Sequence, residues 1–334
     1  MSDTPYAVLF PIALLGAVGG TLITLLITMP FAGVLIRYRA TYAPKALQGL
    51  LTDEGEVQQS PSPSIGYIGM AKRVYRIEGW AGFYKGIMPS MISGLVTIVV
   101  ISPFLVLMAI QAETPNGEKP VVVPWGPAFA VSIIPGLLIF PFQIVANRAI
   151  TTPHKLASFA PSAALRVLLS PAERAQPLRL YLTPGVAFAT LLEGLLGPFT
   201  ILIDRLLGTG IFLQHHTLSL VGATVVTTLV ATLFLTPLKV VATRLTLQRL
   251  GDEDTSVPST VDESEFIALV EPVVDVRGVQ EKRYTGLIDA GRAIVREEGV
   301  KVLFRAWWLT TLLLVGPVIG AVLVPAKVEV PPAF

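Results

Sequence analysis

Charged residues leave six long gaps along this chain. Residues 4–36, 86–112, 120–147, 206–238 and 306–326 contain no Asp, Glu, Lys or Arg, and residues 180–203 contain only Glu193. A helix needs about 20 apolar residues, and at the least about 17, to cross a hydrocarbon core of about 30 Å. Every gap is long enough. Six soluble-core helices with almost no polar face would be an unusual use of such segments, and the ten-residue alternation of a membrane β-barrel is missing. The pattern predicts an all-α membrane protein with six transmembrane helices. The first gap has no basic stretch before it and no small-residue cleavage site after it. It is therefore expected to stay as a span and not to leave as a signal peptide.

Composition agrees and narrows the chemistry. Hydrophobic residues make up 52% of the chain and charged ones 14%, against about 25% charged in soluble domains. Mean hydropathy is +0.67. There is no cysteine, which excludes disulfides, thiol catalysis and Cys-ligated metals. A net charge of +2, with no basic run interleaved with aromatics, leaves no footprint for nucleic acid. No nucleophile–base set, phosphate loop or dinucleotide fingerprint occurs, so neither enzyme activity nor a cofactor is expected. His215 and His216 stand together with no acid nearby and read as a solvated loop, not as a metal site.

Charge placement then gives the loops a face. The connections after spans one, three and five are long, and those after two and four are short. Of the 25 Lys and Arg residues, 22 fall within Arg37–Lys85, Arg148–Arg179 and Lys239–Arg305. By the positive-inside tendency this long-loop face stays in the inner compartment. Two inserts in these loops have the composition of disorder. Residues 52–64 carry Asp53, Glu54, Glu56, Pro61 and Pro63 among serines, and 251–281 carry nine Asp or Glu. The second insert is also a candidate docking segment for a membrane-protein partner.

Three spans end in one phrase: PFAGVLIR from Pro30, PFQIVANR from Pro141 and PLKVVATR from Pro237. Val follows each proline by four (Val34, Val145, Val241) and Arg by seven (Arg37, Arg148, Arg244). On a helix these offsets lie within about 60° of one another, so the three residues share a face. Each proline removes one backbone hydrogen bond. A second phrase follows. Repeat one reads IEGWAGFYKGIMP over 77–89, and repeat three reads YTGLIDAGRAIVREEGVKVLFRAWW over 284–308. Repeat two has lost most of it, but Glu173 still stands eleven before Pro184, as Glu78 does before Pro89. These units divide the chain into repeats at 1–119, 120–208 and 209–334. Each repeat is a membrane helix, a basic loop with a short amphipathic helix, and a second membrane helix. Three equivalent faces are best buried in a pseudo-threefold bundle.

These phrases resemble the mitochondrial carrier family, whose repeat reads Pro-x-Asp/Glu-x-x-Lys/Arg-x-Arg followed by Glu-Gly-x-x-Gly-Phe-Tyr-Lys-Gly. The resemblance covers about residues 6–325. It implies a six-helix protein of a mitochondrial membrane, most members being inner-membrane metabolite exchangers. In the family the acidic and basic positions of the first phrase form a ring of ion pairs that closes one side. Here those positions hold Ala32, Gln143 and Lys239, and Leu35, Ala146 and Ala242. That latch cannot form, and Lys239 lacks a counter-charge within the set. The opposite gate is also missing: residues 104–108 read FLVLM, and Asp204-Arg205 are out of the family's spacing.

Counting four past each second-phrase proline carries the family's substrate contacts onto Ser93, Phe188 with Ala189, and Leu313. One hydroxyl suits no highly charged metabolite, since an anion in a low-dielectric cavity needs paired partners. Thr21, Thr24 and Thr28 share a helical face, as do Thr224, Thr228 and Thr232. They are expected either to glue helices together or to line a cavity. Glu193 is an acid within a span and so a functional candidate, with Asp204 and Arg205 nearby in sequence. Trp80, Trp307 and Trp308 read as interfacial anchors. The resemblance together with these losses favours an outer-mitochondrial-membrane adaptor, scaffold or insertase. The alternative is a transporter of a small neutral, weakly charged or hydrophobic solute.

Overall fold

The computed structural model describes residues 6–44, 65–112, 125–154, 161–183, 185–195, 217–249, 272–274 and 283–314. Within these, the side chains of 6–14, 101–112, 125–132, 161, 163 and 217–224 lie outside the description. The described residues are helical, with no strand.

Helix α1 is Tyr6–Ala40. Next come α2, Tyr67–Phe83, and α3, Ile87–Ala112. In repeat two, α4 is Trp125–Thr151, α5 is Pro161–Leu168, and α6 is Pro171–Ala175. A 3-10 turn, Pro177–Leu182, leads to α7, Val186–Leu195. Repeat three supplies α8, Thr217–Leu247, α9, Leu287–Glu297, α10, Val300–Leu303, and α11 over 307–314.

Three helices are long and apolar enough to cross a bilayer within the described residues. They are Leu15–Ala40, Ile133–Thr151 and Val225–Leu247, with hydropathies of 1.9, 1.6 and 1.9. A fourth crossing is available if α2 and residues 87–100 of α3, bent by 50°, count as one span. The sequence assigns α2 instead to the loop face. Its residues Met70, Arg73, Val74 and Gly82 are buried while Ile68, Tyr75 and Trp80 are exposed, the one-sided burial of a helix lying against the bundle. The remainders of spans four and six lie outside the described residues.

Helices α1, α4 and α8 pack against one another in pairs, and α3 lies along α4. The repeat prolines lie inside these three helices. Val34 and Val241 are buried, as that position of the phrase requires, and Val145 packs partly buried on the largest cluster. That cluster joins Phe140 and Ile144 of α4 to Val241 and Leu245 of α8 and to Ala290 and Ile294 of α9. A second joins Val34 and Ala40 of α1 to Met70 and Val74 of α2.

One expectation changes here. The insert 251–281 has the composition of a disordered loop, yet its residues 272–274 are packed. Val273 and Val274 are 3% and 4% exposed, join the α1–α2 cluster, and Arg73 Nη2 donates to the Pro272 carbonyl at 3.0 Å. Two adjacent valines supply enough apolar surface to dock the strand of chain that an acidic average conceals. Residues 52–64 and the rest of 251–281 lie outside the described residues.

Candidate functional site

An α-helix ends with carbonyls that have no partner in the helix, carrying a partial negative charge that favours cations. Helices α1, α4 and α8 each bring an arginine to this end. Arg37 Nη2 meets Glu78 Oε2 at 2.5 Å. Arg148 holds Glu173 with two bonds, Nη1–Oε2 at 2.7 Å and Nη2–Oε1 at 3.0 Å. Arg244 likewise holds both oxygens of Glu298. All six side chains are 5% exposed or less. A buried charge is tolerable when its hydrogen-bonding capacity is met by a partner. The spacing Pro-x6-Arg and the position of Glu173 thus mark a real recurring contact.

The arginines also reach out of their own repeats. Arg148 donates from Nε to the Thr246 carbonyl at 2.8 Å and from Nη2 to the Gln248 carbonyl at 2.6 Å. Arg244 donates from Nε to the Arg39 carbonyl at 3.1 Å and from Nη2 to the Thr41 carbonyl at 2.9 Å. In both cases the acceptors lie two and four residues past the arginine of the next repeat. A second base adds to this. Lys85 donates to the Thr152 carbonyl at 2.7 Å and pairs with Glu78. Arg305 donates to the Tyr38 carbonyl at 3.2 Å and to the Thr41 carbonyl, and lies 3.6 Å from Glu298. Burial holds the Lys85 ammonium below the ordinary lysine range, with Glu78 pulling it back up. Burial likewise lowers Arg305, helped by Arg244 and opposed by Glu298. Cations thus tie the loop ends of the three repeats into a ring.

The positions that the resemblance assigns to a gate lie near this ring. Leu35 is buried against Ala306 and Leu309, Ala146 is buried, Gln143 is exposed, and Ala32, Lys239 and Ala242 are half-buried. Glu193, on α7, is half-buried and lies within electrostatic reach of Lys239 and Arg39. These three charges come from three different repeats. The sequence offered Asp204 and Arg205 as its companions, but both lie outside the described residues. Arg39 also donates to Thr310 Oγ1 at 2.6 Å.

The contact positions carried over from the family are not joined by hydrogen bonds among the described residues. Ser93 is half-buried and its carbonyl accepts from Thr97. Ala189 is buried, whereas Phe188 and Leu313 are 56% and 58% exposed. The threonine faces bond mostly within their own helices, with one bond of the helix-joining kind. Thr21, Thr28 and Thr232 donate to the carbonyl four residues back in their own helix, each at 2.8 Å, a local satisfaction open to any helical threonine. One hydroxyl pair crosses between helices, Thr311 to Thr232 at 3.2 Å. The Thr224 side chain, residues 104–108 as side chains, Pro184 and His215-His216 lie outside the described residues. Trp80, Trp307 and Trp308 are exposed.

The carbonyl clamps could not be read from the sequence, because their acceptors are backbone atoms. Their donors could be: Lys85 and Arg305 both stand seven residues after the paired glutamate. In comparisons with known proteins, residues 214–321 match the family described as Mitochondrial carrier protein. No curated protein matches the chain.

Proposed function

We propose, from the membership of the mitochondrial carrier family that the match over residues 214–321 supports, that this chain is a mitochondrial membrane protein that uses the carrier fold without exchanging metabolites. Its place is the outer membrane, and its role that of an adaptor, scaffold or insertase. One observation carries the reading: among the described residues, the six positions that the resemblance assigns to the latch form no ion pair with one another. A solute exchanger needs two states of similar energy and a contact that each half-cycle breaks and remakes. Here the latch positions hold Leu35, packed on Ala306 and Leu309, and buried Ala146. Arg148 and Arg244 are instead committed to buried glutamates and to carbonyls of the next repeat. Charge-assisted bonds of this kind contribute about 1.5–3 kcal/mol each, so parting all three joints together is costly.

Reconstitution into liposomes tests this. The expected result is no saturable counter-exchange of soluble metabolites, and observing such exchange would overturn the reading. Protease treatment of intact mitochondria tests the membrane assignment: cleavage within 251–281 supports the outer membrane, and full protection opposes it.

A second reading, a transporter of a small solute, is favoured by one observation. Glu193, Lys239 and Arg39 bring charges of both signs from three repeats within electrostatic reach of one another. If that reading holds, reconstituted protein exchanges a solute and Glu193→Gln abolishes the exchange.

A further inference from the structure

The ring at the loop face is not uniform. Between repeats three and one, Arg244 and Arg305 together hold the carbonyls of Tyr38, Arg39 and Thr41. The same joint adds the Tyr42 hydroxyl on Glu297 at 3.1 Å and the Ala43 N–H on Glu298 at 3.0 Å. Between repeats two and three, Arg148 holds the carbonyls of Thr246 and Gln248, and Asn147 Nδ2 donates to Thr246 Oγ1 at 3.1 Å. Repeat two has Leu180 where the others carry Lys85 or Arg305, and the second base here comes from repeat three, whose Arg249 Nη2 donates to the Val167 carbonyl at 2.8 Å.

The joint between repeats one and two is different in kind. By the register of the other two, Arg37 would donate to the carbonyls of Ile150 and Thr152. It does neither: its Nη2 serves Glu78 and the Gly82 carbonyl inside its own repeat. Its Nε and Nη1 have no acceptor, although the side chain is 0% exposed. Lys85 on the Thr152 carbonyl is the one cation crossing this joint among the described residues. A buried donor without an acceptor has lost its water and gained nothing in return. Closure therefore gains several hydrogen bonds at each of two joints, with Arg39 Nε left without an acceptor at one of them. At the third it gains one cation clamp and leaves two guanidinium donors unsatisfied.

We infer that the loop face parts first between repeats one and two, where the end of α1 at Arg37 leaves the end of α4 at Thr152 and admits water to the Arg37 guanidinium. The other two joints move as one body. This goes beyond the functional reading and stands whether or not the chain exchanges a solute.

The absence of native cysteine makes the test direct. Ala43→Cys, Pro153→Cys and Gln248→Cys are combined in pairs, spin-labelled, and measured as distance distributions in the full chain in lipid nanodiscs. The 43–153 distribution is expected to be about twofold broader than the 153–248 and 43–248 distributions, as local opening at one joint requires. Three equal widths, or the greatest breadth at another pair, would overturn the inference. Lys85→Arg supplies a second measurement in a variant that keeps the charge. It should narrow the 43–153 distribution by offering a fork of donors to the carbonyls of α4, and an unchanged width counts against the proposal.

Discussion

Repeats two and three build the same buried ion pair from opposite ends of a helix. In repeat three, Glu298 follows the last residue of α9 and Gly299 turns the chain at φ +100°. In repeat two, Glu173 sits in the first turn of the short helix α6. There it forms a capping box: its carboxylate accepts from the Ser170 N–H at 3.0 Å, and its own N–H donates to Ser170 Oγ at 3.2 Å. A carboxylate at a helix C-terminus faces partial negative charge, while one at an N-terminus faces partial positive charge. Glu298 accordingly has two cations, Arg244 and Arg305. Glu78, beside the break at Gly79, has Arg37 and Lys85. Glu173 manages with Arg148 and the backbone N–H of its cap. An acid so placed gains from the backbone N–H of its cap some of what a second base supplies to Glu78 and Glu298.

The largest test of this comparison removes each acid. Glu298→Gln leaves Arg244 and Arg305 buried beside a neutral amide, and Glu173→Gln leaves Arg148 alone in that state. Both should lose about 3–5 kcal/mol, the usual cost of stranding a buried charge, with Glu298→Gln the greater loss. Unfolding of the purified protein in detergent measures both, and equal losses would show that the second base adds nothing.

A smaller effect separates the turns. Gly299→Ala places a side chain at φ +100° and should cost about 1–3 kcal/mol. At a different position of the phrase, Gly86→Ala in repeat one adds a contact at 2.8 Å with Ile150 to a φ of +84° and should cost at least as much. Ala306 already occupies the corresponding position of repeat three at φ 54°. Ala306→Gly should therefore change the unfolding midpoint less than either, and a fall as large as that of Gly86→Ala would refute the equivalence.

Next comes the cap. Ser170→Ala should cost about 1 kcal/mol, because it removes the reciprocal hydrogen bond that places Glu173. The matching readout is thermal unfolding, where no loss would mean that Arg148 alone positions the acid.

The smallest effect concerns His154, just past α4. Burial, with Arg249 and Lys85 nearby, holds its imidazole below its ordinary value. As pH falls through about 6.5, the unfolded chain takes up a proton that the folded protein still refuses. Stability then declines, and the loss is complete below the folded value. His154→Gln should flatten this decline in unfolding midpoints measured between about pH 5 and pH 8, and an unchanged slope would assign it to other groups.

Much of this architecture was legible because side chains wrote it. The six gaps in charge, the Pro-Val-Arg phrase and the eleven-residue spacing from Glu173 to Pro184 each fix a helix, a face or a pair. Other features were silent for physical reasons. The clamps end on the carbonyls of Thr41, Thr152 and Gln248, which every residue type possesses. Lys239 lies within electrostatic reach of Glu193, on a helix of another repeat, which no local spacing could show. Composition misjudged Val273 and Val274, since two residues decide docking while thirty decide an average.

That last contact joins distant parts of the chain. Val273 and Val274 cover a cluster that includes Met70 and Val74, some two hundred residues earlier in the chain. The first repeat therefore cannot bury this patch by itself, and its cover belongs to the last third of the chain.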